Sequence, residues 1–128
     1  MGISCGVDIV EIDRIRKAVE NEKFVERVFT KFEVEYCNSK KAGKYESFAA
    51  RYAAKEAALK AFGTGMARRG LSINDIEVRN DSLGKPEIRL YGQAMVEYEA
   101  IMAKSISISL SHSSEYAVAV VIIETTGP

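Results

Sequence analysis

The chain has 128 residues, enough for one domain with its own core and too few for two, so residues 1–128 are expected to form a single domain. Apolar residues make up 47% and charged residues 28%, with two prolines, which is the composition of a folded globular chain and argues against disorder. Lys plus Arg equals Asp plus Glu at 18 each, which argues against a nucleic-acid or membrane-surface binder held by bulk charge and leaves any electrostatic partner to a local patch.

The N-terminus carries no charged segment followed by an apolar run, and no stretch approaches the roughly 20 apolar residues of a membrane span. A cytoplasmic location, with no membrane or nucleic-acid partner, is the expectation. Cys5 and Cys37 stand in no metal-type spacing and are expected to be reduced thiols.

Ile3 to Ile12, ISCGVDIVEI, is rich in β-branched residues. Alternation places Cys5, Val7 and Ile9 on one face of a strand and Asp8, Val10 and Ile12 on the other, so Asp8 shares a face with apolar neighbours. Asp13 is expected to N-cap a helix carrying Arg14, Arg16 and Lys17. Phe24, Val25, Val28 and Phe29 give a second short helical stripe. Thr30 followed by Glu33 reads as a capping box opening a third. NSKKAGK, residues 38–44, reads as a loop, and the longest helix follows over Tyr45 to Phe62 with Gly63 as its C-cap.

Past residue 70 the period changes. IEVRN and PEIRLYG flank a bend at Ser82 to Lys85, Gly92 to Ala103 reads as a helix, and SISISLSH and YAVAVVIIE read as two closing strands joined by the turn SHSSE. The fold class is α+β with a mostly antiparallel sheet.

Three sets of polar residues stand in unusual places. On the helical wheel Lys55 falls within about 20° of the centre of the apolar stripe formed by Phe48, Tyr52, Leu59 and Phe62. A lysine there either snorkels to the edge or meets an anion. Glu56 and Lys60 lie along one flank, spaced either as an exposed i, i+4 pair or as part of a site. His112, the one histidine in the chain, continues the row Ile106, Ile108, Leu110, as a satisfied core residue or as a ligand-facing group. Ser111 points to the opposite strand face from His112, which speaks against a serine hydrolase. Taken together, Asp8, Glu56, the lysines, the Gly63-Thr64-Gly65 turn and His112 suit a metal–phosphate site. Carboxylates are the hard ligands Mg²⁺ prefers, and lysines neutralise phosphate charge.

GVDIVEIDRI, FAARYAAKEAALKAFGTG and ISLSHSSEYAVAVVI, with GKP in the hairpin loop, resemble in this order the signature segments of the holo-acyl-carrier-protein synthases, the small bacterial type of 4′-phosphopantetheinyl transferase. The similarity runs from about Gly6 to Ile123. It implies the 4′-phosphopantetheinyl transferase fold, and transfer of the phosphopantetheine arm of coenzyme A to a serine of apo acyl carrier protein, with release of adenosine 3′,5′-bisphosphate. It also implies Mg²⁺ at Asp8 and Glu56, phosphate contacts from Lys55, Lys60 and His112, and coenzyme binding by Arg51 and the Gly63-Thr64-Gly65 turn. Arg14 matches a basic position on the carrier-protein docking helix, and a homotrimer with shared sites is expected. Either Glu56 or a metal-held water would accept the serine proton, with Glu56 and Lys60 as catalytic residues. Two alternatives remain: a coenzyme A or nucleotide-binding module without transfer, and a structural domain in which Asp8, Lys55 and Glu56 pair with one another.

Overall fold

A computed structural model describes residues 2–63 and 70–126. The element order is β1 (Gly2–Glu11), α1 (Ile12–Ala18), α2 (Glu22–Val28), α3 (Lys31–Ser39), α4 (Lys44–Phe62), β2 (Ile76–Asn80), β3 (Pro86–Leu90), α5 (Gly92–Ala100), β4 (Ala103–His112) and β5 (Tyr116–Thr125), with short 3-10 turns at Lys41–Gly43 and Ile73–Asp75. β1, β5 and β4 form an antiparallel sheet in that spatial order, and β2 pairs with β3 as a separate antiparallel hairpin. The α+β class with antiparallel sheets is therefore observed.

The N-terminal boundaries refine the expectations. α1 begins at Ile12 with Glu11 as its cap residue. Asp13 lies inside its first turn, where it binds Arg16 at 2.5 Å and Lys17 at 3.2 Å. That corrects the expected Asp13 cap. The Thr30–Glu33 capping box is present, and Gly63 ends α4 with φ +111°. Residues 38–44 are less irregular than expected, because α3 reaches Ser39 and a 3-10 turn leads straight into α4.

α4 is the central element, and its composition explains how. Ala49, Ala50, Ala53, Ala54, Ala57, Ala58 and Ala61 are all buried, so the helix carries little bulk toward its neighbours and can lie close to the sheet. The closest approach is at Gly6 of β1, where an added Cβ would stand 2.0 Å from the carbonyl oxygen of Ala57 and 2.8 Å from the nitrogen of Ala61. Ser4, two residues away on the same face, donates its hydroxyl to the Ala61 carbonyl. The opposite face of the sheet shows Ile3, Val7, Ile9 and Ile122 to solvent in the single chain.

A buried polar seam joins the hairpin to the helices. Glu77 on β2 accepts from the hydroxyl of Thr30 at 2.5 Å, the Nε of Arg79 at 2.7 Å and the hydroxyl of Tyr91 at 2.9 Å. Burial pushes its carboxyl up, but these donors outweigh burial and hold it below the ordinary value of 4.5. A carboxyl depressed on folding contributes stability above its unfolded pKa, and that contribution is lost as pH falls through the folded one. Glu77→Gln is expected to cost about 1–3 kcal/mol near neutrality. In urea unfolding across a pH series, the gap to the parent should close below the ordinary glutamate value.

Candidate functional site

Two groups of polar residues form on different sides of α4. The first lies where α4 crosses β1. Asp8 follows Gly6 on the helix-facing side of the strand, and its Oδ1 receives the ammonium of Lys60 at 3.1 Å. The same ammonium donates to the Val7 carbonyl at 3.0 Å. Lys60 is therefore turned to β1 and is not the surface partner of Glu56 that i, i+4 spacing allowed. Asp8 is 18% exposed and Lys60 57%, so the pair opens to solvent.

Tyr52 ties Glu56 to this group. Its hydroxyl is raised from the usual tyrosine value by burial first, then by the Glu56 carboxylate and more weakly by Asp8, with Arg14 acting the other way. One phenol thus feels both carboxylates and the Arg14 cation, which sets Asp8, Glu56 and Arg14 within electrostatic range of Tyr52. Arg14 is exposed on α1. The neighbouring bases Arg16 and Lys17 are both bound to Asp13.

The chemistry of this donor set fits a hard divalent cation. Among the described residues no group of three or more His, Cys, Asp and Glu gathers, and a site built on two carboxylates would leave the rest of a shell to water and ligand oxygens. Mg²⁺ is commonly bound in that way, through one or two carboxylates plus substrate phosphates.

The second group lines a cavity of about 660 Å³ on the other flank of α4, with Tyr36, Lys40, Arg51, Asn80, Lys85 and His112 in its wall. Arg51 is almost fully buried. It stacks over the Tyr36 ring at 4.1 Å, donates to the Ser47 hydroxyl at 3.0 Å and binds the Asn80 side-chain oxygen, while its buried Nε has no partner among the described residues. The hairpin bend supplies the rim. Asp81 accepts from the nitrogens of Leu83 and Lys85 at 2.8 and 2.9 Å, and Gly84 takes φ +86°. His112 lies on the Ile106–Leu110 face as expected but is exposed, with Nδ1 3.2 Å from the Ser113 carbonyl, so it is not a core histidine.

Within one chain these groups stay apart. Asp8 pairs with Ala119 and Ala119 with Leu110, so Asp8 and the His112 strand sit on opposite edges of the three-stranded sheet. Two strand spacings of roughly 4.8 Å separate the edges. Asp8, Glu56 and Lys60 do not line the Arg51–His112 cavity.

Lys55 belongs to neither group, which corrects the expectation of a phosphate contact. It is fully buried and paired with Glu33 at 2.6 Å, and it also donates to the Val28 carbonyl at 2.7 Å and the Ile73 carbonyl at 3.5 Å. Burial pulls its ammonium below the usual lysine value, with Glu33 opposing. It neither snorkels nor faces a ligand. The rival arrangement in which Asp8, Lys55 and Glu56 pair together does not occur either, since Lys55 takes Glu33 and Asp8 takes Lys60. Of the Gly63-Thr64-Gly65 turn, Gly63 is in place, and Thr64 and Gly65 lie outside the described residues.

Sequence reasoning did not single out the cavity residues Tyr36, Lys40 and Asn80, the close approach at Gly6, or the second role of the capping Glu33 as partner of Lys55. A signal existed for Gly6, because an isolated glycine inside a strand marks a close backbone approach.

Residues 4–121 match the sequence profile described as the 4′-phosphopantetheinyl transferase superfamily. The chain is 53% identical over 125 residues to the holo-[acyl-carrier-protein] synthase of Ruminiclostridium cellulolyticum, covering 96% of this chain and 92% of that protein. Among solved structures it is similar to a holo-(acyl-carrier-protein) synthase from Bacillus anthracis in complex with CoA (3′,5′-ADP), with TM-score 0.77, 39% identity and 96% of each chain covered. It is also similar to the holo-[acyl-carrier-protein] synthase of Helicobacter pylori in complex with coenzyme A, with TM-score 0.80, 34% identity, and 94% of this chain and 99% of that one covered.

Proposed function

The chain belongs to the 4′-phosphopantetheinyl transferase superfamily, and from that premise we propose how its residues carry out the reaction. It transfers the 4′-phosphopantetheine arm of coenzyme A to a serine hydroxyl of apo acyl carrier protein, giving the holo carrier protein and adenosine 3′,5′-bisphosphate. The observation that carries the residue-level reading is the junction of β1 and α4, where the Asp8–Lys60 pair opens to solvent and both Asp8 and the partly buried Glu56 act on Tyr52.

Asp8 and Glu56 would hold Mg²⁺, which when bound offsets charge growing on the pyrophosphate. Lys60, more than half exposed at the solvent edge, would leave Asp8 to meet a phosphate oxygen and stabilise negative charge there as the leaving bisphosphate separates. Glu56, which makes no ion pair within the chain among the described residues, is the carboxylate we assign to take the serine proton, directly or through a water. Arg14, exposed beside this site and unshared with Asp13, offers a docking charge to the acidic carrier protein.

Arg51 and His112, together in the second cavity, suit the adenosine bisphosphate end of coenzyme A. The unpartnered Nε of Arg51 and the adjacent Lys40 and Lys85 supply donors and positive charge. The two groups lie on opposite edges of the sheet and line no common cavity, so our reading has a neighbouring subunit bring its second group to the first. The exposed apolar face of Ile3, Val7, Ile9 and Ile122 supports such an assembly, and a homotrimer is our reading. Among the described residues no helix is long and apolar enough to cross a membrane, which is consistent with a cytoplasmic enzyme.

One experiment tests both activity and assembly. Incubated with coenzyme A, Mg²⁺ and an apo acyl carrier protein, the chain should add one phosphopantetheine to the carrier, read by mass spectrometry. It should elute with about three times the mass of one chain. Tight coenzyme A binding without transfer would leave a non-catalytic binding module, and a fully active monomer would remove the shared site.

A further inference from the structure

The Glu33–Lys55 pair has no part in the chemistry above, yet both of its side chains are fully buried and hydrogen-bonded on every side described. One Glu33 oxygen takes the Thr30 nitrogen at 2.9 Å and the Lys55 ammonium at 2.6 Å, and the other takes the Val78 nitrogen at 2.7 Å. Lys55 adds the Val28 and Ile73 carbonyls. The C-terminus of α2, the N-terminus of α3, β2 and the middle of α4 thus meet at two side chains. Burying such a pair is costly, and well-packed apolar residues of similar volume serve the fold as well or better.

What the pair adds is direction. The alanine surface of α4 has few knobs to set its rotation, and Glu56 is the next residue along, about 100° around the helix. We propose that Glu33, acting through Lys55, is a positioning residue: it fixes the rotation and axial register of α4, and so the aim of Glu56 and Lys60 at Asp8. The inference rests on the reading of Asp8, Glu56 and Lys60 as the metal–phosphate site.

The test is the double variant Glu33→Gln/Lys55→Met, which strands no charge, beside Glu33→Asp, which keeps the charge and shortens the arm. Both should melt well above the assay temperature. For each, kcat should fall roughly 10- to 100-fold with the KM for carrier protein unchanged, since misplacement by about 1 Å has that effect. Calorimetric titration of Mg²⁺ in the presence of coenzyme A, without carrier protein, should show weakened uptake. A merely structural pair would lower the melting temperature and leave kcat and Mg²⁺ uptake as in the parent. That outcome overturns the proposal, as does a double variant that cannot fold. Asp8→Asn is the control: if it alters neither Mg²⁺ uptake nor kcat, the site reading fails and the positioning role falls with it. If it abolishes uptake while the double variant behaves as the parent, only the positioning role is wrong.

Discussion

Asp8→Asn and Glu56→Gln should each lower transfer by roughly 10²–10³-fold, the scale of losing one group that stabilises developing charge. Neither should much affect the stability of the metal-free chain. Asp8 is paired with Lys60, but the pair opens to solvent, with Lys60 57% exposed, and pairs of that kind contribute about 0–1 kcal/mol. Against that small loss, if the two carboxylates share one cation site as proposed, neutralising either removes its repulsion with the other in the metal-free chain. The metal-free melting temperature should therefore hold or rise slightly, and the stabilisation that Mg²⁺ gives in the presence of coenzyme A should disappear. Melting curves with and without both ligands, beside a transfer assay, check this. A variant that melts far below the parent yet keeps its specific activity while folded would show that the carboxylates serve the fold and hold no metal.

Gly6→Ala should be the most damaging added methyl among the described glycines. Its Cβ would fall 2.0 Å from a backbone oxygen of α4 and 3.0 Å from the carbonyl carbon of the same peptide, and neither can rotate away as a side chain would. The helix must move off the strand by more than about 1 Å to restore ordinary contact at about 3.5 Å. Overpacking of this kind costs about 1–3 kcal/mol or more. Since Asp8 is two residues along the same strand, the shift should also lower kcat roughly 100-fold in the molecules that still fold. Gly43→Ala is the control, because its Cβ would meet only the Lys40 Cβ at 3.9 Å, and it should stay within about 0.5 kcal/mol of the parent. Parent-like activity and melting in Gly6→Ala would mean that α4 does not lie on β1 as described.

Much of the fold is legible in the sequence, because much of it is local. Alternation in ISCGVDIVEI puts Asp8 on the inward face, where it is found. The Thr30–Glu33 box, the α4 span closing at Gly63, the hairpin bend and the two closing strands all rest on rules that act within a few residues. The family resemblance, carried by three short segments, agrees with the superfamily profile and with the similar synthases. The helical period also places Lys55 on the buried stripe of α4.

The partners are not legible in the same way. Periodicity says which way a side chain leaves its own helix or strand, and nothing about what another element brings to meet it. For Lys55 it leaves snorkelling and anion binding open, and the partner is a capping glutamate on a different helix. Lys60 stands at i, i+4 from Glu56, a local rule that favours their pairing, yet it reaches Asp8, 52 residues away, because α4 crosses β1 at that point. That crossing is set by Gly6 and the small alanines, which let the helix sink toward the strand, and it decides which charges become neighbours. Alternation assigns His112 to the right strand face, but only the tertiary structure puts it in one cavity with Arg51 and across the sheet from Asp8. The chain's one-dimensional pattern determined the elements and the chemical types in the site. Close packing of α4 on the sheet decided which of those residues meet, since electrostatic and hydrogen-bonding partners are selected by distance in space and not by separation along the chain.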